Sequence, residues 1–341
     1  MFAGISLSVL IAVGIATAVV ILLAGLRMTH LADRIADRTG WGEALVGGVL
    51  LGAATSFSGT IVSLTSALSG DASLAFSNSI GGIAAQTAFL GLADMLYRRA
   101  NLEHAAAELT NMFQCGVLLL LLSVPFAAHT APSFTIFAIH PVSLALVLIY
   151  AIGIIASARL RKEPMWTPVK TADTRTDTPD DGDDTSQPST GLIVQFLGLM
   201  LIIGGAGWIV AQLASEMIER FTLSSSLVGA VMTAVVTSLP ELVTTLAAVR
   251  RGALQLAVGG IIGGNTFDIL FLTISDIGFR EGSLYHAVGV DDLFWLSVAM
   301  VMTAILLLGL MFRQRSGPGR MGVESVALLA VYGGAIAIQA S

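Results

Sequence analysis

Charge is scarce in this chain. Asp, Glu, Lys and Arg make up 12% of its 341 residues, while 55% are hydrophobic. A water-soluble domain of that length needs a far larger charged fraction to cover its surface. Cysteine is scarcer still: Cys115 is the only one, so no disulfide framework exists. That one thiol lies in an apolar stretch and says nothing about redox compartment. The net charge of −6 implies no nucleic-acid partner. No basic residue precedes Arg27, and the apolar stretch before it is too long for the core of a signal peptide, so it reads as a retained first span.

What fills the chain is a series of apolar windows of about 20 residues, the length that crosses a bilayer as helix. Ten are expected, at roughly 4–27, 42–68, 72–96, 110–129, 134–157, 192–217, 224–249, 253–277, 291–312 and 321–340. The expected fold is therefore an all-α integral membrane protein, with the lipid bilayer as its setting. Alternate loops then share a side, and 15 of the 17 basic residues fall on one of them, with Arg220 and Arg280 alone on the other. The excess of Lys and Arg on cytoplasmic loops places both termini outside and the central loop in the cytoplasm. A bacterial-type inner or plasma membrane is expected.

The central loop, 158–190, divides five spans from five: 1–157 before it and 191–341 after it. It is polar, contains proline and has almost no aliphatics, so it is expected to be a disordered linker. Its DTPDDGDD stretch invites a calcium-loop reading, but Pro179 and Pro188 stand at the third and twelfth positions, where ligands are needed.

The halves are related. Thr55–Asp94 lies over Thr237–Asp276 at a constant offset of 182, without a gap and with 12 identities in 40 columns. These include Thr55/Thr237, Ser56/Ser238, Gly70/Gly252, Gly81/Gly263, Gly82/Gly264 and Asp94/Asp276. Apolar composition alone would give about a third of that number, so the repeat is taken as real. One half begins outside and the other inside, so equivalent spans cross in opposite directions. An inverted repeat with interrupted helices points to a secondary transporter with a site near the membrane midplane.

The interruptions mark that site. Thr237-Ser238-Leu239-Pro240 breaks the seventh span, because proline removes a backbone donor and frees carbonyls near residues 236–237. Gly263 and Gly264 are expected to loosen the eighth span in the same way and to allow close helix approach. Glu241 follows the first break and Asp268 the second, on antiparallel spans that turn near Gly252, so both carboxylates fall at central depth. A carboxylate facing lipid is costly. Two carboxylates, freed carbonyls and the Thr237 and Ser238 hydroxyls would instead make an oxygen-rich cage for a hard cation.

TSLPE at 237–241 and GGNTFD at 263–268 resemble the second signature repeat of the sodium/calcium and cation/proton exchanger superfamily. With both hairpins and the five-plus-five layout, the resemblance covers nearly the whole chain. It implies alternating access, with Glu241 and Asp268 as cation ligands and Thr237 and Ser238 contributing oxygens. The first repeat is degenerate: Gly59 stands at the glutamate position, Ser58 at the proline position and Gln86 opposite Asp268. Gly82 and Gly264 stand where serine is usual, and Gly260 replaces an asparagine that Asn78 keeps in the first repeat.

Bland readings stand beside these. Gln86 is a ligand or a helix-packing amide, and Thr55 and Ser56 serve packing or ligation. Asp94 and Asp276 lie near span ends and read as interfacial, and Asp71 as the cap of the third span. The leading function is cation antiport, with calcium exchanged for sodium or protons. A monovalent cation/proton antiporter is the alternative, and a non-transporting protein on a decayed exchanger scaffold a further one. No enzyme activity is expected, and no cofactor besides the transported cation.

Overall fold

Apolar residues recur all round most of these segments, and a backbone surrounded by hydrocarbon must satisfy its own hydrogen bonds, which a helix does. In the computed structural model, residues 2, 4–39, 55–97, 100–171, 189–315, 317 and 321–341 are described, and these form helices and connections, with no strand among them. The first part of the expected second span, 42–54, and the DTPDDGDD stretch lie outside the described residues, as does most of the expected linker.

The helices are α1 (Leu7–Thr39), α2 (Phe57–Leu68), α3 (Ala72–Leu96), α4 (Leu102–Ala105), α5 (Leu109–Thr130) and α6 (Pro141–Lys162) in the first half. The second half holds α7 (Ser189–Phe221), α8 (Ser225–Thr237), α9 (Leu239–Arg251), α10 (Leu254–Gly278), α11 (Leu284–Ala287), α12 (Val290–Phe312) and α13 (Val323–Gln339). Among the described residues seven helices are long and apolar enough to cross a membrane, or eight if α8 and α9, bent by 50° at their junction, count as one span. The shorter α2 and α13 are also apolar.

Helix boundaries carry the 182-residue offset far beyond the 40 aligned columns. Leu7–Thr39 maps onto Ser189–Phe221, Ala72–Leu96 onto Leu254–Gly278 and Leu102–Ala105 onto Leu284–Ala287, at both ends. Side-chain bonds repeat too. Asp94 Oδ1 accepts from Leu102 N (2.7 Å) and Asp276 Oδ1 from Leu284 N (3.0 Å). Asp94 Oδ2 accepts from Gly322 N and Asp276 Oδ2 from His140 N, both at 2.7 Å. His104 bonds the Arg313 carbonyl and its mate His286 bonds that of Ala131. Asp94 and Asp276, expected at the interface, are thus fully buried and saturated by backbone N–H groups. Each ties the end of one long helix to two other segments.

Local chemistry sets the ends. Asp71 caps α3 by accepting from Leu74 N at 2.9 Å. Gly70 and Gly252 have φ of +83° and +84°, a left-handed conformation that glycine adopts without a Cβ penalty, and each turns the chain into the next helix. The fifth span was expected from residue 134, but α6 starts at Pro141, which can open a helix because its missing N–H would be unpaired there. Before it, Phe137 and Ala138 take positive φ and Ile136 and Ile139 pair across a tight turn. At its other end α6 continues to Lys162, into the segment expected as linker.

The core centres on α3, buried along nearly its whole length against α2, α8, α10, α12 and α13. Gly81 makes this possible: a Cβ there would lie 2.2 Å from Ala230 Cα, so α3 and the π-helical turn Val228–Thr233 of α8 cross backbone to backbone. Peripheral α1, α6 and α7 expose apolar faces, among them Ile15, Leu23, Leu144, Ile152, Leu197 and Leu201.

Connections gather at two ends. At one, Ser225 bonds Asp71, Ser73 bonds Asp292, His286 bonds the Ala131 carbonyl and Arg220 bonds that of Ile5. At the other, Asn101 bonds Gln314, His104 bonds Thr171 and Arg313 bonds Val169. Alternate connections therefore share an end, as an even alternation of crossings requires.

Candidate functional site

The break in the second half falls at Ser238, between α8 and α9, with Pro240 in the first turn of α9. Glu241 also lies in that turn, where the positive end of the helix dipole favours a carboxylate. Across from it, α10 runs as regular helix through Gly263 and Gly264 to Asp268 and is interrupted at Ile269. The break expected at Gly263 and Gly264 is thus displaced. Helical backbone bonds hold through both glycines, and what Gly264 supplies is close approach: a Cβ there would lie 3.3 Å from Gln86 Oε1.

The two hairpins bring their polar side chains together. Glu241 is 5% exposed and Asp268 1%. Ser56 Oγ approaches Glu241 Oε1 at 3.5 Å, and Ser56 also engages Asp268. Thr55 likewise engages Glu241. From α3, Gln86 Nε2 donates to Asp268 Oδ2 at 2.6 Å and to Ser238 Oγ at 3.1 Å. One amide therefore bridges the hydroxyl of the first break and the carboxylate of the second.

Thr237 sits differently from expectation. Its carbonyl, expected to be free, accepts from Ser58 Oγ at 3.2 Å, and its hydroxyl donates back to Thr233 O at 3.0 Å. The hydroxyl lone pairs are what it can offer a cation. Asn78 is also committed, donating to the Gly59 carbonyl and to Ser63 and accepting from Thr233.

Three oxygens in this cluster are buried without a hydrogen-bond partner: Glu241 Oε2, Asp268 Oδ1 and Gln86 Oε1. Such acceptors are expensive to leave unpaired. All three are hard donors with no competing N–H, so the set fits a hard cation as ligand. Among the described residues no three Asp, Glu, His or Cys side chains converge, so a bound ion would take two carboxylates here and complete its shell with neutral oxygens.

Sequence reasoning missed two features. Tyr150 of α6 brings its ring edge-on to Phe267, next to Asp268, and its hydroxyl is buried without a partner. A lone tyrosine in an apolar span carries no local signal of this. Phe271 fills the space beside Gly59: a Cβ on Gly59 would lie 2.7 Å from Phe271 Cε2 and 3.5 Å from Thr237 Oγ1. Where the first hairpin lacks its carboxylate, an aromatic edge stands instead.

Known proteins resemble this chain in sequence and fold. The family model described as sodium/calcium exchanger protein matches twice, at residues 8–158 and 190–340, once per half. The inner membrane protein YrbG of Escherichia coli is 32% identical over 133 residues, 38% of this chain and 40% of that protein. The sodium/calcium exchanger MaX1 of Methanosarcina acetivorans is 35% identical over 94 residues, 28% of this chain and 25% of that protein. Both matches span less than half of the relative's length. Among solved structures, the sodium-calcium exchanger NCX_Mj superposes with TM-score 0.63 at 18% identity, over 97% of this chain and 99% of that one. The H+/Ca2+ exchanger CAX superposes with TM-score 0.67 at 14% identity, over 97% of this chain and 85% of that one. These likenesses carry the fold, and the family model, matched separately by each half across nearly all of the chain, carries the assignment: the chain belongs to the sodium/calcium exchanger protein family.

Proposed function

We propose that this protein is a secondary-active cation antiporter that exchanges calcium for sodium or protons by alternating access. In this reading ten spans form two five-helix repeats of opposite orientation, 1–157 and 191–341, joined by a cytoplasmic linker at 158–190. The shared helix boundaries at offset 182 and the alternation of connections between two ends support it. The 15-to-2 distribution of basic residues supports termini on the outside.

The observation that carries the reading is that Glu241 Oε2, Asp268 Oδ1 and Gln86 Oε1 are buried, unpaired acceptors on side chains that Ser56 and Gln86 link across the hairpins. Glu241 and Asp268 bind the ion, Gln86 and Ser238 hold Asp268 in place, and Ser56 links the carboxylates. Charge balance then gives a rule for exchange. Two carboxylates are neutralised by one calcium, by one sodium and one proton, or by two protons. A neutralised site crosses a low-dielectric barrier far more readily than a charged one. The empty site carries two negative charges and does not turn over, which enforces exchange.

A second reading is favoured by one observation. The Phe271 ring stands beside Gly59, so the first hairpin brings no carboxylate to the ion. Two carboxylates suit a monovalent ion with a proton at least as well as a divalent ion, which asks for six to eight oxygens. Purified protein in liposomes, loaded with each cation in turn and driven by opposing sodium or proton gradients, separates the two readings. Gradient-driven calcium uptake supports the first, and sodium–proton exchange without calcium flux supports the second.

A further inference from the structure

We propose that Glu103, Glu324 and Asn101 form a second cation site, for a hard divalent ion, where α4 meets the start of α13. This is the end of the bundle that carries residues 101–104, 169–171 and 313–315, so the site lies apart from Glu241 and Asp268.

Glu103 is 2% exposed and Asn101 1%. Part of each side chain is used: Glu103 Oε1 accepts from Ser325 Oγ at 3.0 Å, and Asn101 Nδ2 donates to the Gln314 carbonyl at 2.7 Å. What remains is Glu103 Oε2, Asn101 Oδ1 and Glu324 Oε2, all three buried and without a partner. They converge on one space. A Cβ on Gly322 would lie 3.0 Å from Glu324 Oε2, 3.1 Å from Glu103 Oε2 and 3.5 Å from Asn101 Cγ. Gly309 lets the acidic stems come together, since its Cβ would lie 2.6 Å from Glu324 Cγ and 3.3 Å from Glu103 Cγ.

Among the described residues neither Glu103 nor Glu324 forms an ion pair. The neighbouring Asp94 has both oxygens taken by the Leu102 and Gly322 N–H groups, so it adds negative charge and no counter-charge.

The other half shows that the scaffold does not need these carboxylates. At offset 182 from Glu103 stands Tyr285, and from Ser325 stands Ser143. Tyr285 Oη and Ser143 Oγ pair at 2.8 Å, as Glu103 and Ser325 do. The mate of Glu324 is Val142. A neutral phenol and an aliphatic thus close the same corner, and the acidic version is an addition to it. A proton shared between the two carboxylates would pair both Oε2 atoms and still leave Asn101 Oδ1 unpaired. An ion satisfies all three. Two carboxylates balance two positive charges, and an all-oxygen set selects a hard ion such as calcium or magnesium. Burial first, then the charges of Asp94 and Glu324, push Glu103 up to about 7, a penalty that a cation removes.

The test is calorimetric titration of the purified full-length chain with calcium alone and with magnesium alone. A Glu241→Gln background takes a ligand from the transport site. One binding event with either ion should persist there, and Glu103→Gln or Glu324→Gln added to it should weaken that event at least tenfold. A folded Glu241→Gln protein that binds neither ion overturns the proposal, as does residual binding indifferent to both added changes. If Glu241→Gln does not fold, Glu103→Gln in the wild-type chain must remove one binding event, and an unchanged isotherm overturns the site.

Discussion

Phe271 and Gly59 are in edge contact across the repeat interface: a Cβ on Gly59 would lie 2.7 Å from Phe271 Cε2 and 3.3 Å from Cζ. The ring fills the side of the first hairpin at Gly59, whose symmetry mate, Glu241, gives the second hairpin a charge. Adding glutamate at Gly59 therefore does not simply restore symmetry, because the ring must move first. Gly59→Glu alone should lower thermal stability by roughly 1–3 kcal/mol, the usual cost of overpacking. Combined with Phe271→Ala, which vacates that space, it should fold better than Gly59→Glu alone and should gain calcium affinity over sodium relative to Phe271→Ala with native Gly59. Melting curves with paired calcium and sodium titrations check this, and unchanged relative affinity in a folded double variant would mean that position 59 does not face the ion.

The neighbouring glycines differ in a way that a substitution can read. A Cβ on Gly82 would sit in ordinary contact, 3.6 Å from Asp268 Oδ2 and 3.8 Å from Ser238 Oγ. Gly82→Ser should fold and add one hydroxyl to the ion's shell, raising cation affinity several-fold. A Cβ on Gly81 would lie 2.2 Å from Ala230 Cα, where the backbone cannot give way cheaply. Gly81→Ser should cut the yield of folded protein sharply. Equal yields for the two variants would show that α3 and α8 are not so close.

Much of this was legible in the sequence. The offset of 182 could be read from TSFSG against TSLPE, and it fixes helix ends outside the aligned columns because each half folds on the same local signals, such as Gly70 and Gly252. The pairing of Glu241 with Asp268 followed from equal depth on antiparallel spans. The partners of these residues were not legible. That Ser58 takes the Thr237 carbonyl, that Gln86 bridges Ser238 and Asp268, and that Phe271 fills the side of Gly59 are contacts between halves about 180 residues apart. Spacing fixes which face a residue lies on, and packing between helices decides what it meets. Glu103 was invisible for the same reason, since its partners come from α13.

Glu103 sets a pH dependence of stability. In the folded chain it rises from its ordinary 4.5 to about 7, through burial first and then through Asp94 and Glu324. The folded state thus holds this proton more tightly than the unfolded state. Its stabilising contribution is full below about pH 4.5 and is lost as pH rises through about 7. The shift corresponds to on the order of 3 kcal/mol. In metal-free buffer the wild type should lose more stability between about pH 5 and about pH 8 than Glu103→Gln does. Parallel pH curves for the two proteins would contradict this.

Orientation can be read with single cysteines, because Cys115 is buried and should not react with a membrane-impermeant maleimide. Glu281→Cys, on the connection between α10 and α11, should label in intact cells. Ser186→Cys, in the central loop, should label only after the membrane is opened. The reverse pattern would invert the assigned topology.

The central claim is that Glu241 and Asp268 carry the exchanged cation. Its most direct measurement is gradient-driven cation flux into liposomes containing wild-type, Glu241→Gln or Asp268→Asn protein, each reconstituted at equal folded amounts. Both amides keep shape and remove charge, so flux should fall to the protein-free background in each variant while the wild type exchanges. Wild-type flux through a folded Glu241→Gln protein would contradict the account.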